Sequence, residues 1–145
     1  MNRAVGGLLF LLLFGSAPTW ADGDFRGTRL SRFNDKDYSF DLRVTELARA
    51  PAWKAGADFP PLAPFKARDI ALKRARQLCP GVKEWGIDRI SLQEIDQAAG
   101  NLPHFWIYLI DCEEFDGPYS GPRRILEIPV LMNGAVPAPR IKSSK

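Results

Sequence analysis

Residues 102–114 read Leu-Pro-His-Phe-Trp-Ile-Tyr-Leu-Ile-Asp-Cys-Glu-Glu, an aromatic and β-branched run between a proline and an acidic patch. That composition predicts a strand. Side chains alternate along a strand, so Trp106, Tyr108, Ile110 and Cys112 share one face and Phe105, Ile107, Leu109 and Asp111 the other. Both faces are apolar over most of their length, and a strand of that kind requires cover on both sides. It is expected at the centre of the fold.

The remaining elements are read relative to this strand. In Tyr38-Ser-Phe-Asp-Leu-Arg-Val-Thr, apolar and polar residues alternate strictly, which predicts a strand with one wet face. Residues 64–79 predict the only long helix, opened by Pro64 and closed by Pro80-Gly81. Its packing arc is Ala67, Ala71, Leu72, Ala75, Leu78 and Cys79, and small residues there let a helix sit close on a sheet. Between Trp85 and Ile95 the apolar phase slips: Trp85 and Ile87 have one parity, Ile90 and Leu92 the other. A bulge accounts for that. Residues 123–132 predict another strand, and Pro129, lacking an N–H, places it at an edge or at a kink. Asn133-Gly134 signals a hairpin returning along residues 135–141.

The expected fold is therefore α+β: one helix packed on an antiparallel sheet of four to five strands, in the order β-α-β-β-β with a short return strand. The expected core includes Phe40, Leu42, Ala71, Ala75, Ile90, Tyr108, Ile110, Ile128 and Val130. Along the chain, 1–21 reads as a leader, 22–37 as a flexible lead-in, 38–141 as a single domain and 142–145 as a tail.

The leader is a secretory signal: Arg3, an apolar run from Val5 to Phe14, then small residues ending at Ala21, after which cleavage is expected. The apolar core is about half the roughly 20 residues a spanning helix needs. Removing 21 of the 145 residues leaves 124, and the 20 basic and 17 acidic residues become 19 and 17. That balance gives no general attraction to nucleic acid or anionic membranes, and no stable membrane insertion is expected after cleavage. Export places the only two cysteines, Cys79 and Cys112, where disulfides persist. Their pairing is the expectation, and it would contribute roughly 3–4 kcal/mol.

No catalytic constellation stands out. His104 is the only histidine, so neither an HExxH motif nor a multi-histidine metal site can be written. No serine lies in Gly-x-Ser-x-Gly. Residues 111–117, Asp-Cys-Glu-Glu-Phe-Asp-Gly, lack the spacing of an EF-hand loop. They read as an acidic loop, and residues 66–76 as a basic helix surface. No cofactor is expected.

On the sheet side away from the helix, Phe105, Ile107, Leu109, Ile125 and Leu131 beside Arg89 form a mixed apolar stripe. Large bare patches are rare, so something should cover it. Two covers are open: the connection 46–64, carrying Trp53, Phe59 and Leu62, or a protein or peptide partner bound by groove filling or strand addition.

The alanine-spaced helix, the strand ending Ile90-Ser-Leu92, the aromatic run Phe105-Trp-Ile-Tyr108 and the segment Val130-Leu-Met-Asn-Gly-Ala-Val136 together resemble a small extracytoplasmic PepSY-type module over residues 64–136. The resemblance implies a helix on a three-stranded sheet and a non-catalytic role in peptidase inhibition or regulation. The extra N-terminal strand and the two cysteines depart from that pattern. The expected function is an exported, non-catalytic binding module for a protein or peptide. The alternatives are a small secreted hydrolase or metal-dependent enzyme, and a structural envelope component.

Overall fold

A computed structural model describes residues 25–95, 105–115 and 123–144. Its elements are β1 (Phe25–Phe33), β2 (Lys36–Arg43), α1 (Val44–Leu47), α2 (Pro64–Leu78), β3 (Glu84–Ile95), β4 (Phe105–Phe115), β5 (Ile125–Leu131) and β6 (Pro139–Ser143). The strands form two antiparallel sheets of three, ordered β1-β2-β6 and β3-β4-β5. This corrects the expected single sheet of four to five strands under one helix. Only the second sheet carries α2, and the fold is mostly β.

The difference begins in the segment expected to be a flexible lead-in. Residues 25–33 form β1, which pairs with β2 through a tight turn at Asn34-Asp35. Both turn residues have positive φ, 48° and 56°, the conformation a two-residue hairpin needs and one that Asn and Asp tolerate. β1 then runs against β5, and the link there is made by side chains. The Glu127 amide donates to Ser31 Oγ at 2.8 Å, and Arg124 donates to Asn34 Oδ1 at 2.7 Å.

The second sheet is organised as the sequence implies. β4 is its middle strand, buried on both faces, with two separate apolar clusters against it. On one face Ala67, Ala71 and Ala75, all fully buried, bring α2 down onto Tyr108, Ile110 and Cys112. Each large side chain so removed from water contributes about 1.5–3 kcal/mol. The phase slip in β3 is a bulge between Ile87 and Arg89. Asp88 is the extra residue, and it returns Trp85 and Ile87 to the helix face that Ile90 and Leu92 share. Ile90 is nevertheless 38 % exposed rather than core, because β3 is an outer strand. β5 is the other outer strand, as Pro129 requires.

The Asn133-Gly134 segment does turn, with Gly134 at φ 82° and its N–H donated to Leu131 O at 2.8 Å. The chain does not come back along β5, however. Pro137 and Pro139 cannot donate to a ladder, and residues 139–143 cross to the first sheet and pair with β2. The return strand thus closes the sheet that the N-terminal hairpin began. Among the described residues no helix is long and apolar enough to cross a membrane.

Candidate binding site

The two cysteines expected to pair are both free and buried. Cys112 lies in the middle of β4 under α2. Cys79, at the C-terminal end of α2, turns its sulfur to the Tyr38 hydroxyl at 3.2 Å, so it meets β2 rather than β4. Burial pushes the Cys79 thiol up, and burial beside Asp111 pushes Cys112 up to about 12. Both favour the protonated, unreactive form.

The stripe proposed as a docking face is covered by the chain itself. Phe105, Ile107, Leu109 and Leu131 are buried in the second apolar cluster against Leu42 and Leu47. The cover comes from the end of β2 and from α1, not from the aromatic residues of the connection. Trp53 instead packs edge-on against Trp106, with ring centroids 4.9 Å apart at 81°. Leu62 joins the helix-side cluster, and Phe59 is left exposed. Ile125 is half-buried at the polar end of the same face.

That polar end gathers the remaining site residue, Arg89. Its guanidinium reaches Asp111 Oδ2, with Nη2 at 2.7 Å and Nε at 2.9 Å. Asp111, Glu113 and Glu114 belong to buried positions of β4, not to an acidic surface loop. Arginines neutralise each: Arg123 lies 3.4 Å from Glu113 and Arg124 lies 2.7 Å from Glu114. Glu127 stands directly across the β4–β5 ladder from Asp111. Burial first, and the Asp111 charge second, raise its carboxyl above the usual range, while Arg29 and Arg89 pull the other way. Arg29 itself donates to Gln93 Oε1 at 3.0 Å. The cluster reads as an ion-paired network that ties β1, β3, β4 and β5 together, in which Glu114 Oε2 is ion-paired with Arg124 but accepts no hydrogen bond. His104 and Asp116 lie outside the described residues.

A concave site occurs where α1 meets the turn after β5. A cleft of about 160 Å³ is lined by Glu46, Arg49, Leu131, Asn133, Ala135, Val136 and Pro137. Its apolar side consists of buried Leu131 and Pro137 with half-buried Val136. Glu46, Arg49 and Asn133 supply a rim with charge of both signs. The turn is braced from within: the Leu131 amide donates to Ala135 O at 2.8 Å, and the Ala135 amide to Asn133 Oδ1 at 3.0 Å. Of the candidate site residues singled out in the sequence, Leu131 alone lines this cleft. Glu46 and Arg49 were hidden in a stretch read as irregular connection. The signal there was Val44-Thr-Glu-Leu47, a short amphipathic turn following directly on a strand.

Comparison with protein families, curated proteins and solved structures gives no match for this chain.

Proposed function

We propose that this chain is an exported, non-catalytic binding domain that recognises a protein or peptide by seating one apolar side chain in the cleft beside Arg49 and Val136. The observation that carries this reading is the size and lining of the cleft. Pockets that enclose a whole small-molecule substrate run to roughly 300–1,000 Å³, and this one is about 160 Å³. It suits a single aliphatic or aromatic side chain, with Glu46 and Arg49 placed to meet the polar backbone or charged neighbours of that residue.

The ionisable and nucleophilic groups support the same reading. The described acids of β4 are held by arginines, and the two thiols are held protonated by burial. Regulation of a peptidase, the role implied by the resemblance to PepSY-type modules, would be one use of such a side-chain pocket. Export and removal of residues 1–21 belong to the same proposal.

The test is selection of peptides from a random display library on the mature chain, followed by binding to a cleft-filling variant, Ala135→Trp. Ala135 is exposed, so the variant should keep its circular dichroism and melting temperature. Selected peptides should share one apolar anchor, and the variant should lose them at least tenfold. Peptides that bind Ala135→Trp as tightly as the parent chain would overturn the assignment of this cleft.

A further inference from the structure

We propose that residues 59–65 together with the outer face of α2 form a surface that docks on an anionic lipid bilayer. Residues 59–65 read Phe-Pro-Pro-Leu-Ala-Pro-Phe, without a single polar side chain. The segment is held at its middle and bare at its ends. Leu62 is packed into the helix-side core, and its carbonyl accepts the Tyr108 hydroxyl at 2.8 Å. Phe59 and Phe65, by contrast, are 84 % and 57 % exposed. Three prolines fix φ through this stretch, so the rings are presented by a stiff backbone with little freedom to fold them inward.

The helix that follows supplies charge of one sign. Ala67, Ala71 and Ala75 face the sheet, which leaves Phe65, Lys66, Lys73 and Arg76 on the opposite, exposed arc. Asp69, the acid within that arc, is already paired with Arg68 at 2.8 Å. Residues 59–77 hold five basic side chains and one acidic, a net +4, while the rest of the chain holds 15 basic and 16 acidic. Positive charge is therefore concentrated on the layer that carries the exposed phenylalanines.

Projecting aromatic rings flanked by lysine and arginine are the chemistry of an interfacial contact, in which the rings enter the headgroup boundary and the cations meet anionic lipids. The convex shape favours a flat partner over a protein groove-filler. The surface is a helix exterior with rings standing off it, and the concave cleft lies elsewhere, between α1 and the Asn133 turn.

The experiment is co-sedimentation of the mature chain with vesicles of phosphatidylcholine containing about 30 % phosphatidylglycerol, and with pure phosphatidylcholine as the comparison. Binding is expected to the anionic vesicles alone and should be released as salt rises from about 0.05 M to about 0.5 M. Phe59→Ala with Phe65→Ala should lower the partition coefficient roughly tenfold, and each of Lys66→Glu, Lys73→Glu and Arg76→Glu at least about fivefold. These positions are exposed, and unchanged melting curves establish that the variants fold. Ala135→Trp, which fills the cleft, should bind vesicles like the parent chain, so the two surfaces succeed or fail separately. Absence of sedimentation with anionic vesicles, or sedimentation indifferent to these substitutions, overturns the proposal. Binding to soluble polyglutamate without binding to vesicles also overturns it, in favour of an acidic polypeptide.

Discussion

The Tyr38 hydroxyl lies 3.2 Å from the Cys79 sulfur, and both side chains are buried. This contact joins the middle of β2, in one sheet, to the end of the helix that covers the other. Removing the hydroxyl in Tyr38→Phe leaves the ring packing intact and should cost about 1 kcal/mol. Thermal melting should show a fall of about 4 °C. An unchanged melting temperature would mean that the contact contributes nothing to holding the two sheets together.

Stability should fall in alkali. Burial raises Cys79 and Tyr108 and pushes Cys112 up to about 12. Burial and then the bond to Cys79 raise Tyr38. In the unfolded chain such thiols and phenols lose their protons near about pH 8.5 and 10. The folded state therefore binds more protons above that range, and stability decreases as pH rises. It is fully present below about pH 8.5 and is lost progressively toward pH 12. Urea midpoints at pH 7, 9 and 10 measure this. In the same preparation both thiols should resist alkylation at pH 8 until the protein is unfolded, after which two should react. A native mass two hydrogen atoms short of the reduced chain would instead restore the disulfide.

Glu127 and Asp111 face each other across β4 and β5. Like charges at directly opposed positions cost about 0.2–1 kcal/mol. The folded carboxyl of Glu127 is raised, so its ionisation opposes folding once the pH passes its unfolded value of about 4.3. Its contribution is most favourable below that pH and declines as the folded group ionises. Glu127→Gln should therefore raise stability at pH 7 by about 0.5 kcal/mol and flatten the pH dependence between pH 4 and 7. Denaturant melts at the two pH values decide it; a destabilised variant would show that Arg29 and Arg89 more than compensate the repulsion.

Ile107 is completely buried in the second apolar cluster. Ile107→Ala should lose about 2–5 kcal/mol, and Ile107→Lys should fail to fold, because an unpaired ammonium would be driven into that cluster. A folded, monomeric lysine variant would show that the face opens to solvent. Far-ultraviolet circular dichroism with sedimentation velocity distinguishes the two results.

The parts of the fold legible from sequence are those where one short-range pattern is sufficient. β4 declares itself through apolar residues of both parities, α2 through alanines four apart between Pro64 and Pro80, and the β3 bulge through the parity change between Ile87 and Ile90. β1 was illegible for a physical reason. Its inward positions 29, 31 and 33 are Arg, Ser and Phe, because they meet Gln93, the Glu127 amide and Trp85 rather than a uniform core. No alternation of apolar residues is left to read. The one local clue was Asn34-Asp35, which accepts positive φ without glycine.

The candidate site was less legible still. Leu131 was singled out as part of an open stripe, yet Glu46 and Arg49 meet it only because two segments about 85 residues apart converge. Sequence alone determined which residues are strand, helix and turn wherever periodicity and backbone chemistry act over a few neighbours. Tertiary structure decided that the strands divide into two sheets, that β6 joins β2, and that Cys79 meets Tyr38 instead of Cys112. Those outcomes depend on which surfaces find complementary cover across the chain. That competition among distant partners leaves no mark in the spacing of adjacent residues.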